Sequence, residues 1–236
     1  MRVVVTRPEP SARRTADRLE RLGHHPVLLP VSRAVHHPET ARDALRKPHA
    51  ALALTSAEAG RVLSSLGDQL APYLEETLYA VGDATAKAAA AAGFRNIRTG
   101  TGTGAELAKL IASHTASLAA PLLYLAGKPR SPGFEEGLRA RNLPFVTAEI
   151  YEMSPVAHDG NAIRAALLDP KADAVLLYSR KNAQLFFDLS APHAEALAAT
   201  LMLCLSDNVA NAVPDEFHRN IKIAGHPDED GLFALL

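Results

Sequence analysis

Short apolar runs alternate along this chain with longer segments of helical period, the pattern of parallel strands flanked by helices. Arg2–Thr6, with three consecutive valines, reads as a buried strand. Pro10–Leu22 follows as a helix, with Ala12, Ala16, Leu19 and Leu22 near one face and Gly23 as its C-cap. Pro26–Pro30 is the second strand. Further strands are predicted at Ala50–Thr55, Leu78–Val81, Asn96–Arg98, Pro121–Ala126, Phe145–Tyr151, Ala174–Tyr178, Leu201–Leu205 and Ile221–Ala224. The intervening helices are one that Ser56 caps, then Asp83–Ala92, Ala105–Ile111, Gly133–Arg141, Asn161–Leu168, Lys181–Leu189 and Asp207–Val213.

The pattern also repeats. Leu19-Glu20-Arg21-Leu22 and Leu138-Arg139-Ala140-Arg141 differ in number by 119 (138 − 19), and residues 3–31 overlay 122–150 at that step without a gap. Thr55-Ser56 meets Tyr178-Ser179 at a step of 123. Asp83-Ala84-Thr85-Ala86 meets Asp207-Asn208-Val209-Ala210, and Arg95-Asn96-Ile97 meets Arg219-Asn220-Ile221, both at 124. This ordered series predicts a duplication, hence two similar α/β units with a ligand cleft between them. Val31–Pro38 and Ile150–Ala157 follow equivalent strands, carry a proline and lack Gly/Ser enrichment, so both read as stiff connectors.

Composition narrows the function. The 236 residues suit one large domain or two small ones, and 47% hydrophobic against 22% charged residues excludes wholesale disorder. A net charge of −1 argues against nucleic-acid binding by bulk charge, so an anionic ligand must be held by local geometry. The single cysteine, Cys204, excludes an internal disulfide framework and reads as an inert buried thiol. With no membrane-length apolar run and no signal-like N-terminus, a cytoplasmic protein is expected.

Gly100-Thr101-Gly102-Thr103-Gly104 invites a dinucleotide-binding reading, but its strand is weak and Ser117–Pro121 offers no acid for a ribose hydroxyl. An anion site at a helix N-terminus and a plain loop both remain open there. The ten histidines, including the pairs His24-His25 and His36-His37, lack metal-ligand spacing and read as solvated loop residues; no metal is expected. What remains is a set of hydroxyls and cations at the carboxyl ends of predicted strands: Thr6, Arg7, Thr55, Ser56, Lys128, Arg130, Ser179, Arg180 and Ser206. Each alone suits a helix cap or a surface charge; together at strand carboxyl ends they describe a polyanion site. Neither paired carboxylates nor an activated nucleophile stands out, so an enzyme here works mainly by holding a reactive substrate in one shape.

Val5-Thr6-Arg7-Pro8 before a helix ending Leu22-Gly23, Leu54-Thr55-Ser56-Ala57, Ala80-Val81-Gly82-Asp83-Ala84-Thr85-Ala86, Leu123-Tyr124-Leu125-Ala126-Gly127, Ile150-Tyr151-Glu152 and the weak tail around Gly231-Leu232 resemble the uroporphyrinogen-III synthase family in order and spacing. The resemblance implies two α/β domains with parallel sheets flanked by helices, joined by a two-stranded connector. One domain would hold residues 1–33 and 156–236, the other 38–149, with connectors at 31–38 and 150–157. It implies closure of linear hydroxymethylbilane to uroporphyrinogen III with inversion of ring D and loss of water, without a cofactor. It implies Tyr151 as the acid that helps the hydroxyl leave, Thr85 at the cleft, and Ser179 as a cleft serine of the second unit. Departures from the family pattern are Val209 in place of a threonine, Gly127-Lys128-Pro129-Arg130 in place of an arginine–glycine pattern, and Tyr178-Ser179-Arg180-Lys181 in place of a Thr-Ser-Ala-like segment. The expected partner is the small-molecule substrate, with no nucleic acid and no membrane. A monomer is expected, leaving room for transient contact with the preceding pathway enzyme. The competing reading is a non-catalytic, two-domain binder of tetrapyrroles or other polyanions, which Tyr151 argues against and Val209 argues for.

Overall fold

Val3 and Val5 of strand β1 (Arg2–Val5) are fully buried and pack with Ala12 and Leu19 of helix α1 (Ser11–Arg21), while Val4 joins the core on the opposite face. A strand buried on both faces belongs inside a parallel sheet covered by helices, and its sequence is accordingly apolar throughout rather than alternating. The computed structural model describes residues 1–114 and 119–236, so the beginning of the Ser117–Pro121 stretch lies outside the described residues. From α1 the chain runs through β2 (His25–Leu28), β3 (Ser32–His36), α2 (Pro38–Leu45), β4 (Ala51–Leu54), α3 (Ala57–Ser64), β5 (Thr77–Ala80), α4 (Asp83–Ala91), β6 (Asn96–Thr99) and α5 (Gly104–His114). It continues through β7 (Leu122–Lys128), α6 (Gly133–Arg139), β8 (Phe145–Pro155), α7 (Gly160–Leu167), β9 (Ala174–Leu177), α8 (Arg180–Ser190), β10 (Leu201–Cys204), α9 (Asp207–Ala210), β11 (Ile221–Ile223) and α10 (Glu229–Phe233).

The described residues divide into two units, Met1–Arg33 with Ser154–Leu236, and Ala34–Met153. Both boundaries fall inside strands, one in β3 and one in β8. In the first unit the sheet order is β11-β10-β9-β1-β2, parallel at each pairing. In the second it is β3-β8-β7-β4-β5-β6, parallel from β8 to β6. Setting β1 on β7 makes the two orders coincide, β2-β1-β9-β10-β11 against β8-β7-β4-β5-β6. The matched inner strands begin at 51 and 174, a step of 123, and at 77 and 201, a step of 124. The sheet orders thus repeat in the way the sequence does.

In the second unit, Leu52, Leu54, Leu78, Leu123 and Leu125 fill the core on one face of the sheet, and Ala53, Tyr79, Leu122, Tyr124 and Ala126 fill it on the other. This period-2 division places Tyr124 beside Phe134 of α6, edge to face with ring centroids 4.8 Å apart.

Three elements differ from the sequence reading. α2 lies directly beyond the first expected connector, with Pro38 at its first turn, where proline costs no hydrogen bond. The helix expected at Asp207–Val213 stops at Ala210, and Pro214 keeps helical backbone from running on through Val213. α10 forms near the C-terminus, capped by the Asp228 side chain, which accepts from the Gly231 N–H at 2.7 Å. Among the described residues no helix is long and apolar enough to cross a membrane.

Candidate active site

In the second unit the carboxyl ends of β4, β5, β7 and β8 surround a cavity of about 430 Å³. The hydroxyl-bearing residues Thr55, Ser56, Thr103, Tyr124, Ser131 and Tyr151 line it, together with Arg130 and Gly102–Gly104. Strand carboxyl ends of a parallel sheet face helix N-termini and form the usual ligand crevice. Among the described residues the lining holds no carboxylate, although Glu135 and Glu149 bond its arginine from outside.

Tyr151 reaches this cavity through a break in register. Ala126 pairs with Glu149, yet Gly127 pairs with Tyr151, so Ile150 is the extra residue of a bulge in β8. The bulge turns Ile150 and Tyr151 toward the same core face, where strict alternation would have separated them. The ring then lies against β7 at Gly127, and a Cβ there would overlap its hydroxyl end. Burial raises the pKa of the Tyr151 phenol. Ser56 and the more distant Arg61 oppose that rise and Glu58 reinforces it, so the phenol keeps its proton at pH 7.

Behind Tyr151, Ser56 caps α3 by accepting from the Glu58 N–H at 3.1 Å. Glu58, 8% exposed, accepts from His36 Nε2 at 2.6 Å and from Arg61 Nε at 3.0 Å. Burial alone would raise its pKa, but the bonds from Arg61 and His36 outweigh burial and hold the carboxyl below its ordinary value of 4.5. A depressed folded-state pKa contributes stability above the unfolded value, and that stability is lost as pH falls through the folded one. Glu58→Gln is therefore expected to lower Tm near pH 7 and to flatten its decline on the acid side of pH 4.5, read by thermal unfolding from pH 3 to 7. An unchanged acid limb would remove Glu58 from the set of groups that drive acid unfolding.

Across the cavity the Tyr124 hydroxyl meets Thr55 Oγ1 at 2.6 Å. Burial raises the Tyr124 pKa, against smaller opposite effects of the Thr55 bond and Arg130. Arg130 donates from Nε to Glu135 at 2.8 Å and from Nη1 to Glu149 at 2.6 Å, so two carboxylates outside the lining offset its charge.

The structure gathers Tyr151, Thr55, Ser56 and Arg130 from the sequence-predicted set at one cavity. Lys128 is exposed and outside the lining, and Thr85, in the first turn of α4, is buried and also outside it. In the first unit Thr6 corrects the expectation that its hydroxyl offers a ligand contact. It is fully buried, and its Oγ1 lies 2.6 Å from the Leu176 carbonyl and 2.9 Å from Asn182 Oδ1. Arg7 is engaged within its own unit, donating to Glu229 at 2.9 Å and lying 4.5 Å from the Tyr178 ring centroid. Ser179 caps α8 by accepting from the Asn182 N–H at 3.1 Å; Arg180 follows it, exposed, and Ser206 precedes α9 with its hydroxyl not used as a cap. Val209 lies in the core of that unit.

His36 and His49 depart from the solvated-loop reading, since both bond carboxylates, Glu58 and Glu76, within 2.8 Å. The glycines of the 100–104 loop serve local geometry. Gly102 has φ +110°, and a Cβ at Gly104 would press on Phe134. Cys204 is fully buried, and burial pushes its thiol up to about 12. Among the described residues no group of three or more His, Cys, Asp or Glu is placed to hold a metal ion. The sequence did not single out Tyr124 and Gly127, which line the candidate cavity. A single hydroxyl-bearing residue inside an otherwise apolar strand was the available signal for the first, and a glycine at the end of that strand for the second.

Two repeated parallel α/β units, one carrying a hydroxyl-lined cavity beside an arginine, define a duplicated α/β protein suited to a small anionic ligand. A family model described as uroporphyrinogen-III synthase HemD matches residues 13–234, and the chain belongs to that family. Among solved structures, a uroporphyrinogen-III synthetase from Helicobacter pylori shares the fold with a TM-score of 0.68 and 18% identity, covering 100% of this chain and 98% of that one. A mutant uroporphyrinogen III synthase from the extremely thermophilic bacterium Thermus thermophilus aligns with a TM-score of 0.54 and 23% identity, over 90% of this chain and 87% of that one. No curated protein sequence gives a significant match. The reaction that follows from the family is ring closure of hydroxymethylbilane to uroporphyrinogen III, a step of heme biosynthesis.

Proposed function

We propose that this chain performs that closure as a hydro-lyase, with Tyr151 as the acid for the departing hydroxyl. The observation that carries the reading is a protonated, buried phenol held at the wall of a cavity lined with hydroxyls and one arginine. Hydroxymethylbilane loses hydroxide readily and closes unaided to the type I isomer, so the protein must hold the chain in the shape that inverts the last ring. Tyr151 gives its proton to the hydroxyl, which leaves as water. The pyrrole carbon that closes the ring then loses a proton, and the phenolate recovers one, so the residue ends as it began.

Thr55, Ser56 and Arg130 are the substrate contacts this reading favours in the second unit, because all three line the cavity. The substrate's carboxylates are ionised at pH 7, and neutral hydroxyl and backbone N–H donors can bind them without a basic protein. Ser179, Arg180 and Ser206 stand at the matching strand ends of the first unit and are the contacts proposed for that unit. The reading extends to a monomer working in the cytoplasm. Fresh hydroxymethylbilane given to the purified chain is expected to yield mainly type III uroporphyrin after oxidation. Type I alone, at the spontaneous rate, would leave a tetrapyrrole binder without catalysis.

A further inference from the structure

The cavity wall holds a second phenol that the acid step does not use. Tyr124 is 1% exposed, its ring is closed in by Phe134, and among the described residues its hydroxyl has one partner, Thr55 Oγ1 at 2.6 Å. Each oxygen carries one proton, and only one of the two lies in the shared bond. A phenol is a stronger acid, and so a better donor, than an aliphatic alcohol. If Thr55 donated instead, the phenolic proton would have no acceptor among the described residues. Tyr124 therefore donates. With the Thr55 oxygen occupied as an acceptor, its own proton is left to donate elsewhere, and Thr55 is half-buried and lines the cavity wall. In a poorly solvated wall such chained bonds reinforce one another.

We propose that Tyr124 is a positioning residue that commits Thr55 to donate to a carboxylate of the bound substrate. The inference rests on the synthase reading above. An ionised carboxylate only accepts, so a hydroxyl with its direction already fixed binds it better than one free to turn either way. Arg130 lines the same cavity, but Glu135 and Glu149 already share its charge, so the contact rests on the directed hydroxyl rather than on net attraction. The contact exists in the bound substrate as much as in the transition state, so its loss belongs in KM rather than kcat.

The test uses the full chain, hydroxymethylbilane as substrate, initial rates and the isomer ratio. Tyr124→Phe removes one oxygen from a packed ring and is expected to raise KM about 3- to 10-fold, with kcat within about twofold and little change in Tm. Thr55→Val should raise KM at least as far, and the double variant should match Thr55→Val alone, because the phenol acts only through the threonine. An unchanged KM in Tyr124→Phe, additive losses, or a fall in kcat alone would each overturn the inference. If Tyr124→Phe does not fold, Thr55→Ser must keep the parental KM while Thr55→Val raises it; equal values would sink the proposal. A parent chain that makes only type I product overturns the functional reading instead, and a parent that makes type III alongside an unaffected Tyr124→Phe overturns this inference alone.

Discussion

Tyr151→Phe is expected to lower kcat about 10²- to 10⁴-fold, the usual contribution of one positioned acid, while KM stays within about threefold. The ring remains, so its packing against Ile150 and the strand ends persists and Tm should move little. What is lost is the hydroxyl of the proposed acid. One feature fits a donor here rather than a plain core residue. The bulge at Ile150, opposite Ala126 and Gly127, is what turns the side chain to the cavity, and the phenol keeps its proton at pH 7. Raising the pH should leave wild-type kcat flat well past neutrality, because the pKa of Tyr151 lies above its ordinary value of 10.0. The comparison is made at saturating substrate, with the spontaneous type I background subtracted. A Tyr151→Phe chain that retains the parental kcat would reduce Tyr151 to a wall of the cavity and move the search for the acid to water or to another donor.

The architecture was legible because parallel strands buried on both faces write themselves as uninterrupted apolar runs, as in Val3-Val4-Val5 and Leu122-Leu123-Tyr124-Leu125-Ala126. The duplication was legible because its steps of 119 to 124 stay nearly constant, and the sheets keep the same order. The lining of the candidate cavity was legible only in part. Thr55 and Ser56 follow directly from a strand end and a helix cap, which local sequence announces. Tyr124 was not legible, because in a strand of apolar residues a tyrosine reads as core; its value depends on Thr55, which is distant in sequence and arrives only through the pairing of β4 with β7. Thr6 erred in the other direction. A hydroxyl after a strand looks available until α8 brings Asn182 over it, with Asn182 Nδ2 donating to the Thr6 carbonyl at 3.1 Å. Hydroxyls serve caps, cores and ligands alike, and tertiary contacts decide among these.

Gly127→Ala is expected to inactivate the protein about as far as Tyr151→Phe does, although it adds only one methyl and removes no functional group. A Cβ at Gly127 would fall within the hydroxyl end of the Tyr151 ring. The glycine is needed for space rather than for a special backbone conformation. Either the ring leaves its place or the β7–β8 pairing yields, and a misplacement of about 1 Å at an acid costs on the order of 10²-fold. Overpacking should also destabilise the second unit by about 1–3 kcal/mol, seen as a lower denaturation midpoint. Replacing the ring separates the two consequences. In a Tyr151→Ala background the added methyl meets the space the ring has vacated, so Gly127→Ala should cost little further stability and no further activity. The double-mutant cycle should therefore show a coupling of about 1–2 kcal/mol between these positions, since neighbours that share a volume are not additive. Parental activity in Gly127→Ala, with parental stability, would mean that Tyr151 does not rest on β7 in the working protein, and the bulge at Ile150 would lose its part in presenting the phenol.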